Sequence, residues 1–329
     1  MSTRRSVFAT FASAAAIIGL AAGFATHASA QAWPQKPVTI VVPFAPGGNT
    51  DGIARLAAQR LTETFGQQFI VENRGGAAGA IAAEQILRTN ADGYTLFVAA
   101  LPVMAIVPAI SKVKYDPIKD FAPISNIATN PFVLVVNEAF PAKTLAEFIA
   151  HVKTQNGKLS YASAGTGSLT HLSMALFLKQ AGIEMIHVGY RGNAPALADV
   201  IAGHVPAMFS NLADVLPQVS SGKVRLLAVS SEKRVSQAPD VPTVAESGYP
   251  KFKTQTWNGL LARKGTPQDV IDKVAAEIAK AAKDPKFVEK LAGFGADAQG
   301  NTPQEFAKMI ADDVALWAEA VEIAGVKQQ

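Results

Sequence analysis

From residue 38 onward, short β-rich apolar runs alternate with segments of helical periodicity. Near-continuous apolar strands separated by helices are typical of βαβ units, in which helices cover both faces of a mostly parallel sheet. The sequence therefore predicts an α/β fold. The first predicted elements, starting with a strand and alternating with helices, are Val38–Phe44, Asp51–Thr64, Gln68–Asn73, Ala77–Arg88 and Tyr94–Ala100.

A second β/α series follows an extended segment at Ile124–Asn137. Its predicted strands are Phe132–Asn137, Lys158–Ala164, Met185–Tyr190, Ala207–Asn211 and Arg225–Ser230. Its predicted helices are Leu145–Thr154, Leu169–Ala181 and Ala194–Ala202. One more extended run and three C-terminal helices complete the pattern: Thr254–Ala262, Pro267–Ala282, Pro285–Leu291 and Pro303–Ala324.

The C-terminal helices need a sheet to pack on, so we expect them to return to the first series. Two extended segments would then cross between two lobes and form a hinge. We predict a signal peptide at 1–30, lobe 1 at 31–127 plus 256–329, and lobe 2 at 128–255. In open α/β sheets, ligands bind outside the carboxyl ends of the strands, which here means a cleft between the lobes.

The first thirty residues have the pattern of a secretory signal. Arg4 and Arg5 precede an apolar stretch at Val7–Phe24, and Ala28–Ala30 supplies a small-x-small cleavage site. The alternative is an uncleaved anchor, but the stretch is mostly Ala and Gly rather than strongly apolar. Cleavage after Ala30 leaves 299 residues and lowers the formal net charge from +4 to +2. We therefore expect a soluble periplasmic protein, and with no Lys/Arg run we expect no nucleic-acid partner.

The composition excludes several kinds of chemistry. Hydrophobic residues make up 49% of the chain, which excludes intrinsic disorder, and the absence of cysteine excludes disulfides, thiolate metal sites and thiol catalysis. The histidines show no metal-ligand spacing, and no Walker or dinucleotide motif is present, so we predict no metal and no cofactor. Ser168 and His171 suggest a hydrolase, but the G-x-S-x-G nucleophile elbow is absent.

Two glycine-rich loops directly follow predicted strands and open predicted helices. Pro43–Asp51 contains Gly47 and Gly48, and Ser163–Ser168 contains Gly165 and Gly167. Backbone amides and the positive end of a helix bind anions at such places. For each loop alone, an ordinary strand-to-helix turn remains an alternative. One loop in each lobe could hold a carboxylate from both sides on closure.

Further polar positions follow other strands. Arg191, in Tyr190–Ala196, could fork onto a carboxylate, although a role in holding its own loop is favoured. Asp214, in Ser210–Asp214, could accept a hydrogen bond from a ligand amine or cap the following turn.

These motifs together resemble the Bug family, the extracytoplasmic substrate-binding receptors of tripartite tricarboxylate transporters. The resemblance spans nearly the whole mature chain. It implies a type II periplasmic-binding-protein fold with two lobes around a deep cleft. It also implies a non-enzymatic receptor that reversibly binds a small carboxylate and delivers it to the membrane permease of the transporter. The motifs that carry it are Val42–Asp51, Asn73–Gly76, Gly165–Ser168 with His171, Tyr190–Ala196 and Asp240–Thr243.

The resemblance also implies a set of ligand-binding residues. On the first-lobe side they are Phe44, Pro46, Gly48, Thr50 and Asp51, with the Ala45–Asn49 backbone coordinating one carboxylate, partly through ordered water. The opposing side consists of Ser163, Gly165, Thr166, Ser168 and His171. The second end of the ligand would meet Asn193, Ala194, Asn211 and Asp214, together with Leu101 and Pro102. Pro46 departs from the family pattern and removes one backbone N–H donor.

Some alternatives stay open at the level of sequence. A ligand sensor for a signalling partner would use the same cleft, and an exported α/β hydrolase is the enzyme alternative. Aliphatic dicarboxylates, amino acids and aromatic acids all fit the motifs. An inward-facing Asp214 would favour an amino group on the ligand. We expect a monomer, because the lobes must open freely.

Overall fold

The computed structural model describes residues 33–327, so the predicted signal peptide at 1–30 lies outside the described residues. Residues from Lys36 onward form one compact unit. Among the described residues, no helix is both long and apolar enough to cross a bilayer.

The first series of elements forms a parallel sheet. Strand β1 pairs in parallel with both β2 and β3, and helices follow β1 and β2. A 3₁₀ turn at Ala77–Gly79 precedes the second helix, so the helix predicted at Ala77–Arg88 is shorter. The bounds are β1 Val38–Val42, α1 Asn49–Phe65, β2 Phe69–Asn73, α2 Ala80–Ile86 and β3 Thr95–Ala100.

After β3 the sequence pattern does not predict a π-helical turn at Pro102–Ile106, which continues into the short helix α3, Val107–Ile110. The extended segment predicted at Ile124–Asn137 belongs to one long strand, β4, which runs over 17 residues from Phe121 to Asn137 and so begins before the strand predicted at Phe132–Asn137.

The second series has the predicted order with one added helix. Helix α7 begins directly after β7, where the sequence suggested a turn, and it contains Pro217. The bounds are α4 Leu145–Thr154, β5 Ser160–Ser163, α5 Leu169–Ala181, β6 Ile186–Gly189, α6 Asn193–Ala202, β7 Ala207–Asn211, α7 Leu212–Ser220 and β8 Val224–Val229.

The C-terminal part joins the first series at β9, and its last helix contacts elements of both series. Strand β9 pairs with β3, and the last helix packs against the π-helical turn, β4 and α5. The bounds are β9 Gln255–Arg263, α8 Gln268–Ala281, α9 Pro285–Ala292, β10 Asp297–Ala298 and α10 Pro303–Ile323.

The strands lie in the order β2-β1-β3-β9-β4-β7-β5-β6, with β8 and β10 both paired to β4. Pairing is parallel within each series, but every pair that involves β4 or β9 is antiparallel. The prediction of a mostly parallel sheet is therefore wrong for the whole molecule. The sheet is mixed because β4 and β9 are the crossing segments, and they run in opposite directions between the two series.

Strand β4 supplies side chains to two hydrophobic clusters. Leu134 and Val136 belong to the larger cluster, whereas Val133 and Val135 belong to a smaller one in the second series. Successive side chains of a strand point to opposite faces, so both faces of the sheet are covered here. This burial fixes the ends of the strands, from which the two glycine-rich loops extend.

Candidate functional site

The first glycine-rich loop is held by a buried, ionised aspartate. The backbone N–H of Gly47 donates to Asp51 Oδ2 at 2.9 Å, Arg55 Nε donates to the same oxygen at 3.0 Å, and Asn73 Nδ2 donates to Oδ1 at 2.8 Å. Burial favours the neutral carboxyl, but the hydrogen bonds from Arg55, Gly47 and Asn73 outweigh it, so the pKa of Asp51 is lowered. Asp51 thus ties the loop to β2 and to the first turn of α1.

The N-terminus of α1 has no side-chain cap. Its N-cap residue is Gly48, which has no side chain to accept a hydrogen bond from the first turn. The backbone N–H groups at the start of a helix lack intrahelical partners, and they carry the positive end of the helix dipole. This N-terminus therefore has the character of an anion site.

The second loop is held only by neutral groups. Gly167 N–H donates to His171 Nδ1 at 3.1 Å, and Ala164 N–H donates to Thr170 Oγ1 at 2.9 Å. Ser168 caps α5 by accepting from the N–H of His171 at 3.3 Å. Gly165 and Gly167 have φ of 130° and 78°, values that favour glycine.

His187, which was not among the predicted site residues, supports this second loop. The ring of His187 stacks on that of His171 with centroids 3.8 Å apart, and His187 Nε2 lies 2.7 Å from Ser163 Oγ. Burial, and then the proximity of His187, lower the pKa of His171 to about 4. Burial also lowers the pKa of His187. At neutral pH both rings are uncharged.

A third polar cluster joins α6, β7 and α7. Asn193 Nδ2 donates to Ser210 Oγ at 2.9 Å and to Asp214 Oδ2 at 2.7 Å. Asn211 Nδ2 donates to the same carboxylate oxygen at 3.1 Å. Asp214 lies exposed in the first turn of α7.

A cavity of about 250 Å³ lies where the first loop, the crossing strands and α7 meet. Five of the predicted ligand-binding residues line it, namely Phe44, Thr50, Pro102, Asn211 and Asp214, and so does Asn49, which was predicted to contribute only its backbone. The remaining lining residues were not predicted as ligand contacts: Ala100, Asn130, Ala213, Thr256, Asn258 and Phe294.

The other predicted residues do not line this cavity. Pro46 and Gly48 belong to the exposed first loop, and Asp51 lies buried beneath that loop. Leu101 is buried after β3, and at the start of α6 Asn193 is half-buried and Ala194 is exposed. The predicted residues of the second loop do not line the cavity either: Ser163, Gly165, Thr166, Ser168 and His171.

Three of the unpredicted lining residues come from the crossing strands. Asn130 and Thr256 are direct neighbours in the antiparallel pairing of β4 with β9, and Asn258 follows two residues later. Their signal in the sequence is a polar residue inside a buried strand, because such a residue requires a hydrogen-bonding partner.

A larger groove of about 580 Å³ lies on the surface of the second series, lined by α7, β8 and the 237–241 segment. None of the predicted ligand-binding residues lines it. The smaller cavity, which adjoins the uncapped N-terminus of α1, is therefore the better candidate site.

Comparison with known proteins gives a consistent result. A family model described as the tripartite tricarboxylate transporter family receptor matches residues 53–326. Protein BugT of Bordetella pertussis is 35% identical over 317 residues, which cover 95% of this chain and 97% of BugT. A UPF0065 protein from the gbd 5' region of Cupriavidus necator is 36% identical over 318 residues, covering 97% of this chain and 96% of the relative.

Solved structures with the same fold include two with bound ligands. An R. palustris protein with adipate is 34% identical with a TM-score of 0.73, covering 91% of this chain and 100% of that chain. MatC of Rhodopseudomonas palustris with bound malate is 32% identical with a TM-score of 0.68, covering 88% and 100%. A solute-binding protein from Polaromonas, solved without ligand, is 28% identical with a TM-score of 0.81, covering 88% and 99%.

Proposed function

The chain belongs to the tripartite tricarboxylate transporter receptor family, the Bug family, and we propose on this premise that it binds a small carboxylate reversibly and delivers it to the membrane permease of such a transporter. Its fold is that of the family's periplasmic binding proteins. Receptors of this family are solute-binding proteins of the periplasm. We propose that residues 1–30 are a cleaved signal peptide and that the mature protein is a monomer.

The observation that carries the proposal is the uncapped N-terminus of α1 beside the cavity. Gly48 leaves the first-turn amides without a side-chain partner, and Thr50 of the same turn lines the cavity. A carboxylate placed there would receive backbone hydrogen bonds and the favourable end of the helix dipole. The carboxylates adipate and malate in two structures of relatives support this choice of ligand class.

The two-lobed division supplies the proposed mechanism. Lobe 1 would comprise 31–127 plus 256–329 and lobe 2 would comprise 128–255, with β4 and β9 as the hinge. Closure would bring the second loop toward the ligand, so that Ser163, Gly165, Thr166, Ser168 and His171 form the opposing wall. The first wall would consist of Phe44, Pro46, Gly48, Thr50 and Asp51, and the far end of Leu101, Asn193, Ala194, Asn211 and Asp214.

The test uses residues 31–329, purified from an export-competent host. The protein is denatured gently, the released small molecules are identified by mass spectrometry, and the refolded protein is screened against carboxylates by thermal shift. A ligand at one hundred times its Kd raises stability by about 2.7 kcal/mol, which a melting curve resolves. A carboxylate that co-purifies or raises the Tm is the expected result. A broad carboxylate panel that shifts nothing would contradict the proposal.

A further inference from the structure

Two amide side chains beside the cavity donate their N–H groups to the protein itself. Asn49 Nδ2 donates to the carbonyl of Phe294 at 2.8 Å, and Asn130 Nδ2 donates to the carbonyl of Gly295 at 2.9 Å. Because a backbone carbonyl only accepts, these bonds fix which side of each amide is nitrogen. Asn130 Nδ2 also donates to the carbonyl of Phe294 at 3.2 Å, so both N–H donors of Asn130 and one of the two N–H donors of Asn49 are not available to a ligand.

The orientation of a third side-chain amide, that of Asn258, follows from those of Asn49 and Asn130. Asn258 Nδ2 faces Oδ1 of Asn49 at 3.4 Å and Oδ1 of Asn130 at 3.5 Å. Asn258 is only 2% exposed, and its own Oδ1 has no partner. Oδ1 of Asn258 is thus an unsatisfied acceptor, and a hydrogen-bond donor on a ligand would satisfy it.

The α7 side of the cavity also presents a hydrogen-bond acceptor that is free for a ligand. Asn193 and Asn211 both donate to Oδ2 of Asp214, which leaves Oδ1 of this exposed carboxylate to accept from other donors. Asn193 does not itself line the cavity, so the α7 end of the cavity offers the free oxygen and the negative charge of Asp214.

Charge gives the same indication independently. Asp214 is the single ionisable side chain among the residues that line the cavity, and neither Lys, Arg nor His is among them. A second ligand carboxylate at this end would face an anion and amide oxygens, with no charge-assisted donor to offset its desolvation. An ammonium group would meet a carboxylate and satisfy the free acceptors.

We propose that the ligand is an amino carboxylate, whose carboxylate lies at the N-terminus of α1 and whose ammonium group donates to Asp214. This inference rests on the proposed function and narrows its ligand class. It predicts that ammonium-bearing carboxylates bind more tightly than dicarboxylates or hydroxy acids of equal length.

The test is isothermal titration calorimetry on the full mature chain, freed of co-purified ligand by unfolding and refolding. The probes are two matched sets: the four-carbon acids succinate, malate and aspartate, and the five-carbon acids glutarate, 2-hydroxyglutarate and glutamate. In at least one set, the amino member is expected to bind about tenfold or more tighter than its matched partners. A dicarboxylate or hydroxy acid that binds as tightly as its amino counterpart in every set would overturn the inference.

A pair of variants isolates the role of the carboxylate. Asp214→Asn is expected to weaken binding of the preferred amino probe about tenfold or more, and to leave binding of the matched dicarboxylate equal or tighter. Asp272→Asn, an equal change of charge on the exposed face of α8, is the control and is expected to change neither affinity. Unchanged amino-probe affinity in Asp214→Asn would overturn the inference.

Failure of the amino preference and failure of carboxylate binding give different results. If none of the probes binds, with or without an amino group, both the proposed function and this inference fall. If the acids bind with no preference for the amino member, only the inference falls. The melting temperature of each variant, measured without ligand, separates lost affinity from lost folding.

Discussion

The two glycine-rich loops have the same place in their βα units but are held by opposite kinds of interaction. An ionised, buried Asp51 holds the first loop through Arg55, Gly47 and Asn73. Neutral hydroxyl and imidazole groups hold the second loop, with the stacked rings of His171 and His187 at its base. Similar backbone geometry is thus maintained by charge in one half of the molecule and by the absence of charge in the other.

This difference implies different responses to acid. The pKa of Asp51 is lowered, so its contribution to stability persists down to the usual aspartate range and is lost only as the pH falls through its folded-state pKa. The pKa of His171 is also lowered, to about 4, so the folded protein resists protonation that the unfolded chain accepts near pH 6.5. The second loop should therefore weaken first on acidification.

The largest expected effect is that of removing the charge from the first loop. Asp51→Ala removes three hydrogen bonds to a buried, charged carboxylate, so we expect a loss of about 3–5 kcal/mol in the free energy of unfolding. Urea denaturation at pH 7 measures it. The control, Asp269→Asn, removes an exposed i,i+4 partner of Lys273 and should cost under about 0.5 kcal/mol. Equal losses in the two variants would remove Asp51 as the anchor of the loop.

The next effect concerns acid and the second loop. As the pH falls from 6.5 to about 4, His171 becomes protonated in the unfolded chain but stays neutral in the folded protein. The free energy of unfolding should therefore fall by about 3 kcal/mol over this range. His171→Asn retains an acceptor for Gly167 N–H but does not titrate. The stability of the native chain minus that of the variant should therefore fall by about 3 kcal/mol over this range. A difference that is independent of pH would show that His171 is not held neutral.

A smaller effect is expected at the cap of α5. Ser168→Ala removes the side chain that accepts from His171 N–H, and loss of such a cap costs about 1 kcal/mol. Thermal unfolding at pH 7 measures the change, with Ser236→Ala at an exposed position as the control. If Ser168→Ala were as stable as the native chain, the Ser168 cap would not contribute to holding the second loop.

The smallest effect on stability, with a large effect on binding, is expected at the cap of α1. Gly48 has φ of −81°, and the nearest atom to an added Cβ is the carbonyl oxygen of Ala45 at 3.8 Å, so serine fits there. Gly48→Ser should raise stability by about 0.3 kcal/mol, because its hydroxyl caps the first turn. The same hydroxyl would occupy the amides proposed for the ligand carboxylate and weaken binding. The comparison is with Gly48→Ala, which adds a Cβ without a cap; equal affinity in the two variants would place the carboxylate elsewhere.

The local pattern of the chain predicts most elements but not the pairings between distant ones. Helices at Leu145–Thr154 and Leu169–Ala181 agree to the residue, because their apolar spacing and caps are local. Helix α7 was missed; it contains Pro217, a residue that usually interrupts a helix. The antiparallel pairing of β4 with β9 was missed because the sequence does not show the register between segments more than 100 residues apart.

The candidate site divides in the same way. Phe44, Thr50 and Asp214 follow strands along the chain, so they could be identified as strand-end residues. Asn130 and Asn258 reach the cavity only through the pairing of the crossing strands, and His187 reaches Ser163 only because β5 and β6 pair in parallel. Residues brought together by long-range register cannot be predicted from local pattern alone.

The most direct test of the proposed receptor function is a crystal structure of residues 31–329 with the carboxylate that binds most tightly. We expect ligand density in the cavity lined by Phe44, Thr50, Asn211 and Asp214, with one carboxylate within hydrogen-bonding distance of the first-turn amides of α1. Density for the ligand in the surface groove beside β8, with the cavity empty, would contradict this expectation.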